Sequence, residues 1–369
     1  MKVVLLMANN TSSPYFSRFA KLYDKSQGIE LSFVCLFPSL PDMVKEMNDL
    51  DIPCYWIKFD DKKRKTSIIS SFFNLYKLFK QLKPDVVHTH LFDDSLPGLF
   101  AARVAGVKKR IISKLDAGFH YTNQHFLLRL DQFNNKNATD IITVSDENRS
   151  FVIEKEKAPK NKVHLIHQGV FIDEVISNSK EKKDELIDKY NLQNKRVIIS
   201  VSRYIEWKGY KYIINAAETV LNKYSDVVFL FIGYGDQQSE LEKIVNEKNI
   251  EERVVFTGWV NRFELNNLYQ VASVFVHAAT NEPFGFAIAE AMLNKIPIVS
   301  TKTGCASDGI EHLKGGYITD FENSNQIADG ISYMLENETF KMINTSYRVA
   351  KELFSVEMMW KKHIDLYKL

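Results

Sequence analysis

Arg203 and Lys208 stand five residues apart in Ser202-Arg203-Tyr204-Ile205-Glu206-Trp207-Lys208-Gly209-Tyr210, a segment that follows an apolar run and opens a helical one. Two cations beside a helix N-terminus suit a diphosphate. The guanidinium offers a planar fork, the ammonium a compact charge, and the helix dipole adds to both. A solvated basic loop is the alternative that composition leaves open. Gly233-Tyr234-Gly235-Asp236 occupies the same kind of place, after a strand and before a helix. Gly233 and Gly235 let backbone approach a ligand closely, although a tight turn accounts for the pair on its own. No third glycine completes a dinucleotide fingerprint.

The most specific segment is Glu282-Pro283-Phe284-Gly285-Phe286-Ala287-Ile288-Ala289-Glu290. The strand before it ends at His277 and a helical pattern starts near Ala287. Phe284, Gly285 and Phe286 therefore present N–H groups at a helix start. An ionised carboxylate has two acceptor oxygens, which suit two vicinal hydroxyls. One carboxylate on a ribose and one on a sugar ring, with backbone donors between them, describe a nucleotide-sugar site. Apolar neighbours on both sides of Glu290 argue against a solvated helix face.

The elements that must hold these residues alternate between strand and helix. Val3 to Met7, Leu31 to Phe37, Cys54 to Ile57, Asp85 to His88, Arg110 to Ser113, Asp140 to Val144 and Val163 to Ile166 read as strands. After a polar stretch at residues 173–196 the same grammar restarts with Val197 to Ser202, Val227 to Gly233, Val254 to Thr257, Val274 to His277 and Ile296 to Ser300. This order predicts two doubly wound parallel sheets, covering residues 1–170 and 171–354, with a cleft between them. Ligands of such sheets bind beyond the carboxyl ends of the strands, where the candidate residues fall.

The 369 residues include 48 basic and 46 acidic ones, a formal charge of +2 that excludes a generally basic nucleic-acid binder. Cys35, Cys54 and Cys305 are too scattered for a disulfide scaffold or a cysteine metal site, which fits a reducing, cytoplasmic setting. The apolar N-terminus reads as a buried first strand, and no apolar run is long enough to cross a bilayer.

Glu282 and Glu290 resemble the E-x(7)-E motif of retaining glycosyltransferases of family 4, which have the two-domain GT-B fold, and the resemblance covers nearly the whole chain. It implies that Arg203 and Lys208 contact the donor diphosphate. It places Thr257-Gly258-Trp259-Val260 near the nucleobase. It also matches Thr303-Gly304-Cys305-Ala306-Ser307-Asp308 to a GG-x-x-E turn, with Cys305 in place of a glycine and Asp308 of a glutamate. Val163 to Val170 resembles the segment that leads into the interdomain linker. Residues 355–369 are expected to return as a helix to the first domain. The N-terminal half departs from the family pattern. The loop Asn9 to Pro14 has no glycine, and either Asp116 or His120 takes the place of a histidine after the fifth strand.

The implied reaction moves a sugar, with retention, from a UDP- or GDP-sugar to a hydroxyl of a saccharide or lipid-linked saccharide in bacterial surface-polysaccharide assembly. Arg203, Lys208 and the N–H groups near Gly285 would stabilise the leaving diphosphate, which takes the acceptor proton in a front-face attack. A nucleotide-sugar epimerase or hydrolase and a non-catalytic sugar-binding homologue are the competing classes. No D-x-D follows a strand, so no metal cofactor is expected. His88-Thr89-His90 alternates as metal ligands can but lacks a third partner, and His90 is placed on the acceptor side instead. Lys62-Lys63-Arg64-Lys65 precedes the aromatic helix 67–82. That helix either lies on an anionic membrane at the inner face or packs on the sheet behind a solvated charge run.

Overall fold

Lys2–Ala8 buries every residue after its first, the pattern of a strand covered by helices on both faces. In the computed structural model, which describes residues 1–11, 14–24, 27–116, 118 and 125–369, this strand, β1, is central to the first sheet. The chain continues through α1 (Pro14–Leu22), β2 (Glu30–Phe37), α2 (Asp42–Asp49), β3 (Cys54–Lys58), α3 (Arg64–Leu82), β4 (Val86–Thr89), α4 (Phe92–Ala105), β5 (Lys109–Lys114), α5 (His125–Asn137), β6 (Asp140–Thr143), α6 (Asp146–Glu154) and β7 (Val163–Leu165). The strands pair in parallel in the order β3-β2-β1-β4-β5-β6-β7.

The second sheet follows α7 (Ile172–Ile176) and α8 (Lys180–Lys189). Its elements are β8 (Arg196–Val201), α9 (Tyr210–Lys223), β9 (Val227–Ile232), α10 (Gln238–Glu247), β10 (Val254–Phe256), α11 (Arg262–Tyr269), β11 (Ala272–His277), α12 (Phe286–Leu293), β12 (Ile298–Thr301), α13 (Gly304–Gly309) and β13 (Tyr317–Thr319). The order is β10-β9-β8-β11-β12-β13, again parallel. Helices α14 (Ser324–Glu336), α15 (Phe340–Leu353) and α16 (Val356–Lys368) complete the chain.

Contacts divide the molecule into Met1–Ile166 with Met359–Leu369, and His167–Met358. The chain leaves the first unit before residue 170 and re-enters it after 355, for a backbone reason. Val170 N–H donates to the Phe354 carbonyl at 2.8 Å and Val356 N–H to the Val170 carbonyl at 3.2 Å, so both crossings are bonded to each other inside the second unit. Beyond them, Met359, Trp360, Ile364, Leu366 and Tyr367 of α16 join the core over β1 and β2, and Trp360 Nε1 donates to Gln27 Oε1 at 3.0 Å.

Both sheets reverse winding direction between adjacent strands, β1 and β4 in the first and β8 and β11 in the second. A crevice opens at such a switch point. In the first sheet it is filled. Ala8 N–H and the His90 and Leu91 N–H groups donate to the Asp94 carboxylate, and Asn9 Nδ2 and Arg64 Nε donate to Asp93. The adjacent aspartates thus cap α4 and tie it to the loop after β1.

Candidate active site

At the second switch point the loops after β8 and β11 meet. The β8 loop runs through a 3-10 turn, Glu206–Lys208, into Gly209, which has φ +71° and precedes α9. A Cβ on Gly209 would lie 2.1 Å from the Ala278 carbonyl oxygen, so a glycine is needed both for its backbone angle and for the close approach. Thr280 N–H donates to the Trp207 carbonyl at 2.9 Å across the same contact. This seam brings Lys208 Nζ into an ion pair with Glu282 Oε2, both side chains nearly buried. Replacing Gly209 by alanine forces these backbones apart. We expect it to cost roughly 1–3 kcal/mol of stability and to disrupt the Lys208–Glu282 pair. A denaturation midpoint equal to that of the wild type would contradict the tight seam.

His277, the last residue of β11, lies beneath this pair. Its Nε2 is 3.3 Å from Glu282 Oε2 but is not aligned for a hydrogen bond within the described residues. Burial lowers the His277 pKa, so the ring is neutral. Burial alone would raise the Glu282 carboxyl. The His277 ring N–H edge 3.3 Å away and the Lys208 ammonium outweigh it and hold Glu282 at about 2, so it is ionised throughout the physiological range. Gly285, at φ +85°, caps α12 and leaves that helix's first N–H groups beside Glu282.

Arg203 is exposed just beyond β8. Gly233 and Gly235 act mainly within the protein. Cβ atoms there would lie 1.9 Å from the Ser202 oxygen and 2.3 Å from the Tyr204 oxygen, so the turn is locked against the Arg203 loop. Gly233 N–H donates to the Gly258 carbonyl at 3.1 Å, which joins the 257–260 loop to the same cluster. Trp259 is 71% exposed and Val260 half-buried. Gly304 packs on the Phe284 carbonyl, and Cys305 N–H donates to that oxygen at 2.6 Å.

Several expectations need correction. The Phe284 side chain is core, packed edge-on to Phe286 and Phe354, so only its backbone can face a ligand. Asp308 is held by His167 Nε2 at 2.8 Å. Glu290 is buried, as its apolar surroundings imply, but it is already engaged. Arg262 Nη1 donates to Oε1 at 2.7 Å and the Tyr269 hydroxyl to Oε2 at 3.0 Å.

In the first unit, His88 hydrogen bonds through both ring nitrogens, to Tyr367 and Ser113 at 2.8 and 2.7 Å, and is a core residue rather than a metal ligand. His90 is not on an open face: it is 2% exposed and packed edge-on by Tyr15 and Phe16. Burial holds it at about 3. Its Nδ1–H donates to the Leu6 carbonyl at 3.0 Å, and Nε2 has no partner among the described residues. It lines a small hollow with Ser113, Lys114 and Asp116. The Asp116 Oδ1 accepts from Gly118 N–H at 2.9 Å. His120 lies outside the described residues.

Sequence reasoning missed His277, Arg262 and Tyr269. The only available signal for the last two was their seven-residue spacing, which puts both on one helix face.

Two Rossmann-like sheets, the second carrying an ammonium–carboxylate pair at its switch point, define a two-domain α/β protein. A family model described as Glycosyltransferase Family 4 matches residues 15–174, and one described as Glycosyl transferases group 1 matches residues 182–351. The chain belongs to the family 4 glycosyltransferases with the GT-B fold. It is similar to an Escherichia coli UDP-Gal:alpha-D-GlcNAc-diphosphoundecaprenol alpha-1,3-galactosyltransferase, with 23% identity over 76% of this chain and 74% of that protein. It is 29% identical to an uncharacterized glycosyltransferase of Methanocaldococcus jannaschii, over 62% of this chain and only 60% of the relative. Anabaena HepE, solved with UDP, superposes with a TM-score of 0.84 at 19% identity and full coverage of both chains, a likeness of fold.

Proposed function

We propose that the protein transfers a hexose from a UDP- or GDP-sugar, with retention and without a metal, to a hydroxyl of a saccharide or lipid-linked saccharide in polysaccharide assembly. The observation that carries this reading is the buried Lys208–Glu282 pair near the start of α12, with Arg203 exposed in the same loop after β8. Cations and N–H groups there would stabilise charge on the departing diphosphate, while Glu282, held ionised, would accept from sugar hydroxyls. The first domain, with Asp116 or His120 in the place of the family's histidine, would serve the acceptor. The test is release of nucleoside diphosphate from a UDP-, GDP- and ADP-sugar panel, with and without chelator. Product of inverted configuration, or activity lost with chelator, would overturn the corresponding part. Hydrolysis or epimerisation without transfer would favour the epimerase class.

The same reading puts the first domain on an anionic membrane. α3 buries Ser67, Ser71, Leu75 and Phe79 but exposes Ile69 and Phe73. Phe72 stacks on Phe100 of α4 at 5.1 Å, and Phe100 lies 6.1 Å from Phe133 of α5, which gives an aromatic band across three helices. The same three helices carry the exposed cations Lys77, Lys80, Arg103, Arg129 and Lys136, and every acidic residue of these helices is buried. Such a surface suits anionic lipid. Among the described residues no helix is long and apolar enough to span a bilayer. We expect sedimentation with anionic liposomes and loss of it in Ile69→Glu/Phe73→Glu. Equal recovery of both proteins in the supernatant would remove the membrane from the proposal.

A further inference from the structure

Three imidazoles meet where α16 lies against the first sheet. The His88 ring on β4 is 4.0 Å from the His90 ring and 5.7 Å from that of His363 on α16, between centroids. All three residues are at most 2% exposed. None of these rings is ion-paired among the described residues, in contrast to His164 and His167, which meet Asp140 and Asp308.

Their hydrogen bonds fix the charge state. His90 Nδ1–H donates to the Leu6 carbonyl, and His363 Nδ1–H to the Met359 carbonyl at 2.8 Å, so in each neutral ring Nε2 is the bare nitrogen. Both Nε2 atoms are buried without a partner among the described residues. A second proton on either ring would be an N–H without an acceptor, on a cation held out of water. We propose that this cluster makes α16 an acid-sensitive latch: the helix stays on the first domain while the rings are neutral, and detaches in mild acid because His363 and His88 take up protons once water reaches them.

Trp360, His363 and Tyr367 form the docking face, at helical spacing. Trp360 and His363 both meet Phe19 of α1 edge-on, and the Tyr367 hydroxyl bonds His88. His88 is therefore uncovered when α16 leaves, whereas His90 stays beneath Tyr15 and Phe16 of α1. The other groups around the cluster supply no counter-charge to the rings. On α1, burial raises the Tyr15 hydroxyl, which stays neutral, and Arg18 acts on that tyrosine. On α4, Asp94 accepts from the His90 backbone N–H rather than from its ring. On β5, Lys109 donates to the Leu366 carbonyl. On α16 itself burial raises Tyr367, and Lys361 and Asp365 are exposed on the outer face. Burial holds His90 at about 3 and His363 at about 4, and keeps His88 well below the ordinary 6.5. Folded values below the unfolded one give a contribution that is complete above 6.5 and is lost as pH falls beneath it.

The test is hydrogen-exchange mass spectrometry of the full-length protein at about pH 7.5 and about pH 5.5, with labelling times scaled to the intrinsic rate. Over that interval each histidine released into water favours the open state about tenfold. With His88 and His363 both released, opening of residues 356–369 should rise about 10²-fold, while peptides from β1 and β2 keep their protection. His363→Phe keeps a ring against Phe19 and cannot titrate, so its rise should be only about tenfold, and His363→Gln should give the same ratio. Tyr367→Phe removes only the hydroxyl on His88. It should open α16 more at both pH values and keep the wild-type ratio, which separates a lost contact from a lost proton site. A wild-type rise below about threefold, or an undiminished ratio in both His363 variants, would overturn the latch. Loss of β1 and β2 protection together with that of α16 would overturn it too, since the first domain would then be unfolding as a whole.

Discussion

Lys208→Ala lowers transfer by about 10²- to 10³-fold, the range for loss of one preorganised donor at a developing anion. Most of this loss appears in kcat. The expectation follows from where the ammonium stands. It lies at the reversal between β8 and β11, beside the start of α12, and is already drawn to Glu282. The charge is therefore in place before the leaving group needs it and no reorganisation is required. Removing it has a second consequence, since Glu282 loses the partner that helps hold it at about 2. With His277 the one remaining named neighbour that lowers it, burial shifts the carboxyl upward. Glu282→Gln separates the two effects: it keeps the shape, loses the charge and should impair sugar binding while Lys208 remains free to meet the diphosphate. Lys208→Ala turnover within a few-fold of wild type, in a protein with unchanged circular dichroism, would remove Lys208 from the reaction.

The sequence carried the sheets well, because a strand buried on both faces must be a continuous apolar run. Val227–Ile232 is buried at every position and was legible from that alone. Tyr317–Thr319 was not: three residues at a sheet edge, two of them half-buried, make no run. The spacing of Glu282 and Glu290 marked the site, but the two carboxylates meet different fates. Glu282 pairs with a residue 74 positions earlier and Glu290 with one 28 positions earlier. Contacts of that span depend on which strands become neighbours. His90 shows the same limit. After a strand it reads as a residue facing a ligand, yet Tyr15 and Phe16 of α1 cover it. The turn glycines were legible as turns, and the nearness of Ser202 and Tyr204 that requires them was not.

The largest stability effect should come from Lys114, which no motif marked. It ends β5, two residues before Asp116, and its Nζ lies 2.7 Å from both Asp131 of α5 and Glu156 beyond α6, all three side chains at most 7% exposed. Asn135 Nδ2 also donates to Glu156 Oε2 at 3.0 Å. Burial alone would lower the Lys114 pKa, but the two carboxylates outweigh it and raise the group above its ordinary value. Its folded pKa thus exceeds the unfolded one, so this contribution is complete below the unfolded pKa near 10.5 and fades only as pH rises beyond it. Lys114→Met leaves two carboxylates facing each other without a cation. We expect a loss of about 3–5 kcal/mol, the cost of breaking a buried ion pair from one side, measured by urea denaturation at neutral pH. Replacing all three charges, as Lys114→Met/Asp131→Leu/Glu156→Gln, should recover much of the stability, since the expense lies in the orphaned charges rather than in the missing pair. Loss of less than about 1 kcal/mol in the single variant, the level of a surface pair, would mean that water reaches the triad.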